Sequence, residues 1–92
     1  MNVSIIYIGA TWCGPCRQFK PRLNKFAESH DIKVDYLDAT NDADKVSNLG
    51  VESVPTTIFV SEGIERGRIV GVASNESLEA MLEQSAVPCG SA

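Results

Sequence analysis

The sequence predicts an α/β fold, a four-stranded mixed sheet flanked by three helices in the order βαβ, α, ββα. Three observations predict it: an apolar run at the start that gives way to helical spacing, two later strand-like runs joined by a polar turn, and a capped apolar-periodic segment near the end. A βαβ unit followed by a hairpin and a closing helix makes one sheet with helices on both faces. The 92 residues suit a single domain that buries over ~60% of the surface its unfolded chain exposes. Residues 1–86 are expected to form it, with 87–92 a flexible tail.

Val3, Ile5, Ile6, Tyr7 and Ile8 form a nearly continuous apolar run rich in β-branched residues, the pattern of a strand covered on both faces. Cys16, Phe19, Leu23, Phe26 and Ala27 then fall at helical spacing, with Arg17, Lys20, Arg22, Lys25 and Glu28 between them. Pro21 lies inside this helix and removes one backbone hydrogen bond, so a bend is expected there. Lys33 to Leu37 reads as strand two. A short helix with Ala43, Val46 and Leu49 on one face follows, ended by Gly50 at a left-handed position. Thr56 to Val60 and Arg66 to Val70 read as a hairpin joined through Ser61-Glu62-Gly63. Ser74 can cap a last helix carrying Leu78, Met81 and Leu82.

The chemistry is concentrated in Trp12-Cys13-Gly14-Pro15-Cys16, placed where strand one hands over to helix one. A C-x-x-C pair serves zinc sites, haem attachment or dithiol exchange, and its surroundings choose among them. A structural zinc site wants about four N or S ligands. Beyond the motif the chain offers only Cys89 and His30, and His30 reads as a helix-end residue favoured by the dipole. No metal is expected. Haem attachment needs a histidine after the second cysteine, where Arg17 stands.

Dithiol exchange needs a thiolate, and a free cysteine with pKa near ~8.5 is mostly protonated at neutral pH. Cys13 sits at the N-terminal end of helix one, where unpaired N–H groups and the helix dipole favour an anion. It is the expected nucleophile. Cys16, one turn on and shielded, is the expected resolving thiol, which displaces the product and closes a Cys13–Cys16 disulfide. Pro15 stiffens the first turn where its missing donor does no harm.

Composition bounds the partners. The chain is 43% apolar and 22% charged, with a net charge of −4, which argues against nucleic acid. No apolar run approaches the ~20 residues of a membrane span, and Met1 to Ser4 has no basic region with a following apolar stretch, so a reducing, cytoplasmic setting is expected. Arg17 and Lys20 place positive charge beside the motif, which either favours acidic partners or marks a solvated helix face. Cys89 reads as an exposed, incidental thiol.

Trp12 to Cys16, Pro21 five residues beyond, Val54-Pro55-Thr56 before a strand and Val70-Gly71 before the last helix together resemble the thioredoxin family over Val3 to about Gln84. Typical members carry a further strand and helix before the strand that begins this chain, so it resembles a version reduced to the core shared with glutaredoxins. The resemblance implies a thiol-disulfide oxidoreductase that reduces protein disulfides, ribonucleotide reductase among the candidates. It further implies no bound cofactor beyond the redox-active disulfide, a monomer, and recharging by a flavoenzyme reductase.

Family likeness puts Trp12, beside an exposed Cys13, in a substrate groove. Pro55 matches a cis proline opposite the dithiol, leaving the backbone of Val54 to pair with an extended substrate, and Gly71 with Val72 forms the remaining wall. Asp38 is a candidate acceptor for the Trp12 indole N–H. One departure stands out: most members have a buried Asp six residues before the first cysteine and a Lys near it, and here those places hold Tyr7 and Val34. A phenol of pKa near ~10 is a poor base, so slower, more pH-sensitive release by Cys16 is expected. Two alternatives stand beside the reductase reading. One is a glutaredoxin-like enzyme using glutathione, against which Gly14-Pro15 replaces that family's usual Pro-Tyr. The other is a docking subunit of a larger enzyme in which the dithiol is secondary.

Overall fold

The computed structural model describes residues 3–86. The expected tail at 87–92, with Cys89, lies outside them. Seven elements follow in chain order: β1 (Val3–Gly9), α1 (Gly14–Ser29), β2 (Lys33–Asp38), α2 (Ala43–Asn48), β3 (Thr56–Ser61), β4 (Ile64–Val70) and α3 (Asn75–Ala86). The sheet order is β2-β1-β3-β4, with β1 parallel to β2 and antiparallel to β3, and β3 antiparallel to β4. This is the four-stranded mixed sheet with three helices that the sequence predicts.

The apolar run of β1 makes it an inner strand with two buried faces. Ile5 and Tyr7 pack with Phe19, Leu23 and Phe26 of α1, Phe59 of β3 and Leu78 of α3. Ile8 turns the other way, onto Ile58 and Val46 of α2. Period-two alternation along β1 therefore sends α1 and α3 to one face of the sheet and α2 to the other. The buried residues of α1 are Cys16, Phe19, Leu23, Phe26 and Ala27, the stripe expected from spacing, and the helix continues through Pro21 to Ser29. Burial of that stripe anchors the helix despite the missing proline donor.

Caps fix the element ends. Gly50, at φ +72°, ends α2: its N–H donates to Ser47 O, and Val51 N–H donates to Val46 O, the paired bonds of a left-handed C-terminal cap. Ser74 Oγ accepts from Ser77 N–H and opens α3.

The hairpin corrects the sequence reading. β3 runs through Ser61 and β4 begins at Ile64, so only Glu62 and Gly63, both at positive φ, form the turn. Between the pairs Phe59↔Gly67 and Val60↔Glu65, Arg66 is an extra residue, and this bulge breaks the alternation from which the start of β4 was to be read.

Candidate functional site

Ala10 to Cys16 links β1 to α1. Cys13 N–H donates to Ala10 O at 3.2 Å, turning the chain so that Cys13 becomes the N-cap of α1. Cys13 and Cys16 are joined as a disulfide, and Cys13 Sγ accepts from Cys16 N–H at 3.2 Å. The sulfur of Cys13 thus occupies the capping position, where helix N–H groups stabilise negative charge. Gly14 and Pro15 form the exposed first turn, with Pro15 at a position that needs no donor.

The expected exposure of Cys13 is corrected: in the disulfide it is 6% exposed and Cys16 5%. Both lie in a small cluster with Ala10, flanked by Ala39 and Val54. Trp12 is 68% exposed, which excludes a core role for its ring.

The assignment of the indole partner is also corrected. Trp12 Nε1–H donates to Thr40 Oγ1 at 3.2 Å. Asp38 is occupied within its own turn, where Oδ1 accepts from Thr40 N–H at 2.8 Å and Asn41 N–H at 3.0 Å. A carboxylate that caps the two N–H groups just after it holds the turn in place, and Thr40 on that turn reaches the tryptophan.

The Val54–Pro55 peptide bond is cis. Pro55 O accepts from Gly71 N–H at 2.7 Å, which ties the β3 approach to the end of β4. Thr56 Oγ1 donates to Ser53 O, fixing the same loop from the other side. Gly71 has φ +94° with nothing within 4 Å of where a Cβ would stand, so backbone conformation and not crowding within the chain selects glycine here. Val72 is half-exposed beside it. Arg22 Nη2–H donates to Ala73 O at 3.1 Å and lashes this segment to α1, a link that spacing alone does not reveal.

Behind the disulfide lies a cleft of about 490 Å³ whose lining includes Tyr7, Cys16, Arg17, Lys20, Tyr36 and Asp38. Tyr7 is buried and its hydroxyl donates to Cys16 O at 3.4 Å. Burial, with Tyr36 adding to it, pushes the Tyr7 phenol above its ordinary value. Strand register sets Tyr36, not Val34, opposite Tyr7, and the two rings meet edge to face at 6.0 Å. The Tyr36 hydroxyl donates to Asn24 Oδ1, and Lys20 Nζ stands 4.8 Å from the Tyr36 ring centre. Arg17 is held by Thr11 O at 2.9 Å. Among the described residues no group of three or more His, Cys, Asp or Glu is placed to hold a metal ion, and no helix is long and apolar enough to cross a membrane. His30 instead caps the end of α1 beside Phe26.

Comparison with known proteins agrees with this geometry. Residues 2–84 match the thioredoxin family model. The chain is 39% identical to a thioredoxin of Alicyclobacillus acidocaldarius over 75 residues, covering 79% of this chain and 71% of that one. It is 39% identical to a TPR repeat-containing thioredoxin of Arabidopsis thaliana over 87% of its own length but only 21% of that longer protein. Among solved structures, a mutant thioredoxin from Halobacterium salinarum superposes with a TM-score of 0.86 at 29% identity, over 95% of this chain and 79% of that one. With the disulfide at the head of α1 and Val54, which precedes the cis proline, packed on the two cysteines, the chain belongs to the thioredoxin family of protein-disulfide oxidoreductases.

Proposed function

We propose that the protein reduces disulfides of other proteins by dithiol exchange, with Cys13 as nucleophile and Cys16 as resolving thiol. The observation that carries this reading is Cys13 at the N-cap of α1, its sulfur accepting the Cys16 N–H and bridged to Cys16. In the reduced protein the same N–H groups stabilise a Cys13 thiolate. That thiolate attacks one sulfur of a substrate disulfide, the other sulfur leaves as a thiolate, and a mixed disulfide forms. Cys16 then attacks Cys13 Sγ, the substrate's second sulfur leaves, and the Cys13–Cys16 bridge closes.

Exposed Trp12, Val54 before Pro55, and Gly71 with Val72 support a groove that receives an extended substrate segment through backbone pairing at Val54 and apolar contact elsewhere. Gly14 and Pro15 shape the dithiol turn. In this reading the working unit is the single domain of residues 1–86, acting as a monomer in the cytoplasm without a bound cofactor and recharged by a flavoenzyme reductase. Insulin reduction with dithiothreitol as electron source tests it. The protein accelerates precipitation of the insulin B chain, and Cys13→Ser abolishes the acceleration; an undiminished rate in Cys13→Ser overturns the assignment.

A further inference from the structure

Resolution of the mixed disulfide requires Cys16 to lose its thiol proton inside a buried site. Tyr7, whose side chain reaches Cys16, is a poor acceptor: its hydroxyl donates to Cys16 O, and burial strengthens its hold on its own proton. The cleft behind the disulfide supplies another path. Cys16 lines it, and the groups that face into it are Tyr7 from β1, Arg17 and Lys20 from α1, Tyr36 and Asp38 from β2, and Asp42 from the turn before α2.

We propose that Asp38 is the proton acceptor for Cys16 during resolution, reached through water in this cleft, an assignment that rests on the reductase reading above. Three features single it out. First, the register of β1 and β2 sets Asp38 beside Gly9, the last β1 residue before the cysteine loop, and Ala39 N–H donates to Gly9 O at 2.8 Å, so Asp38 is fixed against the strand that leads to the dithiol. Second, its Oδ1 accepts both turn N–H groups, while among the described residues no hydrogen bond reaches its Oδ2. One oxygen therefore holds the side chain while the other is available as a base. Third, Asp42, the other carboxylate on the cleft, spends Oδ2 on Asp38 N–H at 2.9 Å, which buttresses Asp38. The strands bordering this cleft send their helices to opposite faces of the sheet, the arrangement that opens a crevice at the carboxyl ends of neighbouring parallel strands.

The step balances. The Cys16 thiol gives its proton through water to the Asp38 carboxylate, and the Cys16 thiolate attacks Cys13 Sγ. The Cys13–substrate S–S bond breaks as the Cys13–Cys16 bond forms. The departing substrate thiolate carries the electron pair, and the proton held by Asp38 returns to solvent. Arg17 and Lys20, which line the cleft, favour the negatively charged thiolate.

Asp38→Asn is the discriminating substitution, because asparagine keeps an Oδ1 to accept both turn N–H groups and loses only the basic oxygen. In stopped-flow reaction of the reduced protein with a bis(nitrothiobenzoate) disulfide, in a Cys89→Ser background, a first coloured thiolate reports attack by Cys13 and a second reports resolution by Cys16. Asp38→Asn is expected to leave the first phase unchanged and slow the second by at least about tenfold at neutral pH, since positioned proton transfer contributes about 100-fold or more. With the base gone, resolution in the variant relies on hydroxide and climbs with pH through the neutral range, and added acetate or formate restores the rate in the variant without accelerating the parent. A second phase with the parent's rate and pH profile overturns the proposal. Slowing that affects both phases equally and resists rescue overturns it too, since it marks damage to the turn. A parent that releases no second thiolate instead defeats the reductase reading itself.

Discussion

The two sides of the dithiol are built from different materials. The groove side is mainly backbone: the cis bond before Pro55, Gly71 at φ +94°, and the Gly71 N–H to Pro55 O hydrogen bond. The cleft side is mainly side chains, with Tyr7, Tyr36, Lys20 and Asp38 brought together by strand register and helix phase. Backbone recognition accepts many sequences, because any extended segment offers the same N–H and C=O groups. Side chains that share a cleft with Cys16 are the same whichever substrate is bound. On the reading proposed above, the difference separates a permissive entry from a dedicated chemical step.

The strongest way to break this division is to loosen what both sides share. Phe19 is fully buried on α1, 6.1 Å from the Tyr7 ring, and packs in the cluster with Ile5, Phe59 and Leu78. Phe19→Ala should cost about 3–5 kcal/mol in a denaturant titration, a large part of a small domain's stability. A loss below about 1 kcal/mol would mean that α1 is held by something other than this core.

Perturbing the groove side alone has a smaller effect on stability. Gly71→Ala puts a Cβ on a residue at positive φ, where space is open but the conformation is disfavoured. The expected cost is about 1–2 kcal/mol, together with a raised KM for protein disulfides. The cleft side is barely touched, so the rate of the resolution phase should hold. An equal fall in both would merge the two sides into one unit.

Tyr7→Phe is the mildest. It removes a 3.4 Å hydrogen bond to Cys16 O and should change stability at neutral pH by less than about 1 kcal/mol. Its signature is in alkali. A phenol whose folded value lies above the unfolded one contributes stability that is complete below the unfolded pKa and is lost as pH rises through the folded one. Stability of the parent should therefore fall above about pH 10, and that of Tyr7→Phe should fall less, as thermal melts across that range would record.

The same contrast explains what could be read from the sequence. The groove side was legible through the family resemblance, which put a cis bond at Pro55, while residue type marked the left-handed cap at Gly50; both are found. The cleft side was not, because hydrogen-bond partners depend on turns that the sequence leaves open. Asp38 was matched to the Trp12 indole, yet its Oδ1 accepts from Thr40 and Asn41 N–H, and Thr40 takes the indole. Tyr36 went unnoticed because only the pairing of β1 with β2 sets it against Tyr7. Arg22 stands in the sequence only as one of the charged residues between the apolar positions of α1, and it bridges α1 to Ala73 across 51 residues. The start of β4 was lost for a related reason, since the extra residue at Arg66 shifts the alternation by one. Apolar periodicity, by contrast, gave every buried residue of α1.

The division of labour between the two cysteines can be read by trapping the mixed disulfide. Cys16→Ser, incubated with a disulfide-bonded protein such as insulin, should accumulate a mixed disulfide that runs as a covalent complex on a nonreducing gel. Peptide mapping should place the bond at Cys13, and Cys13→Ser should trap nothing. A complex that forms with Cys13→Ser through Cys16, and fails to form with Cys16→Ser, would reverse the roles and contradict the account.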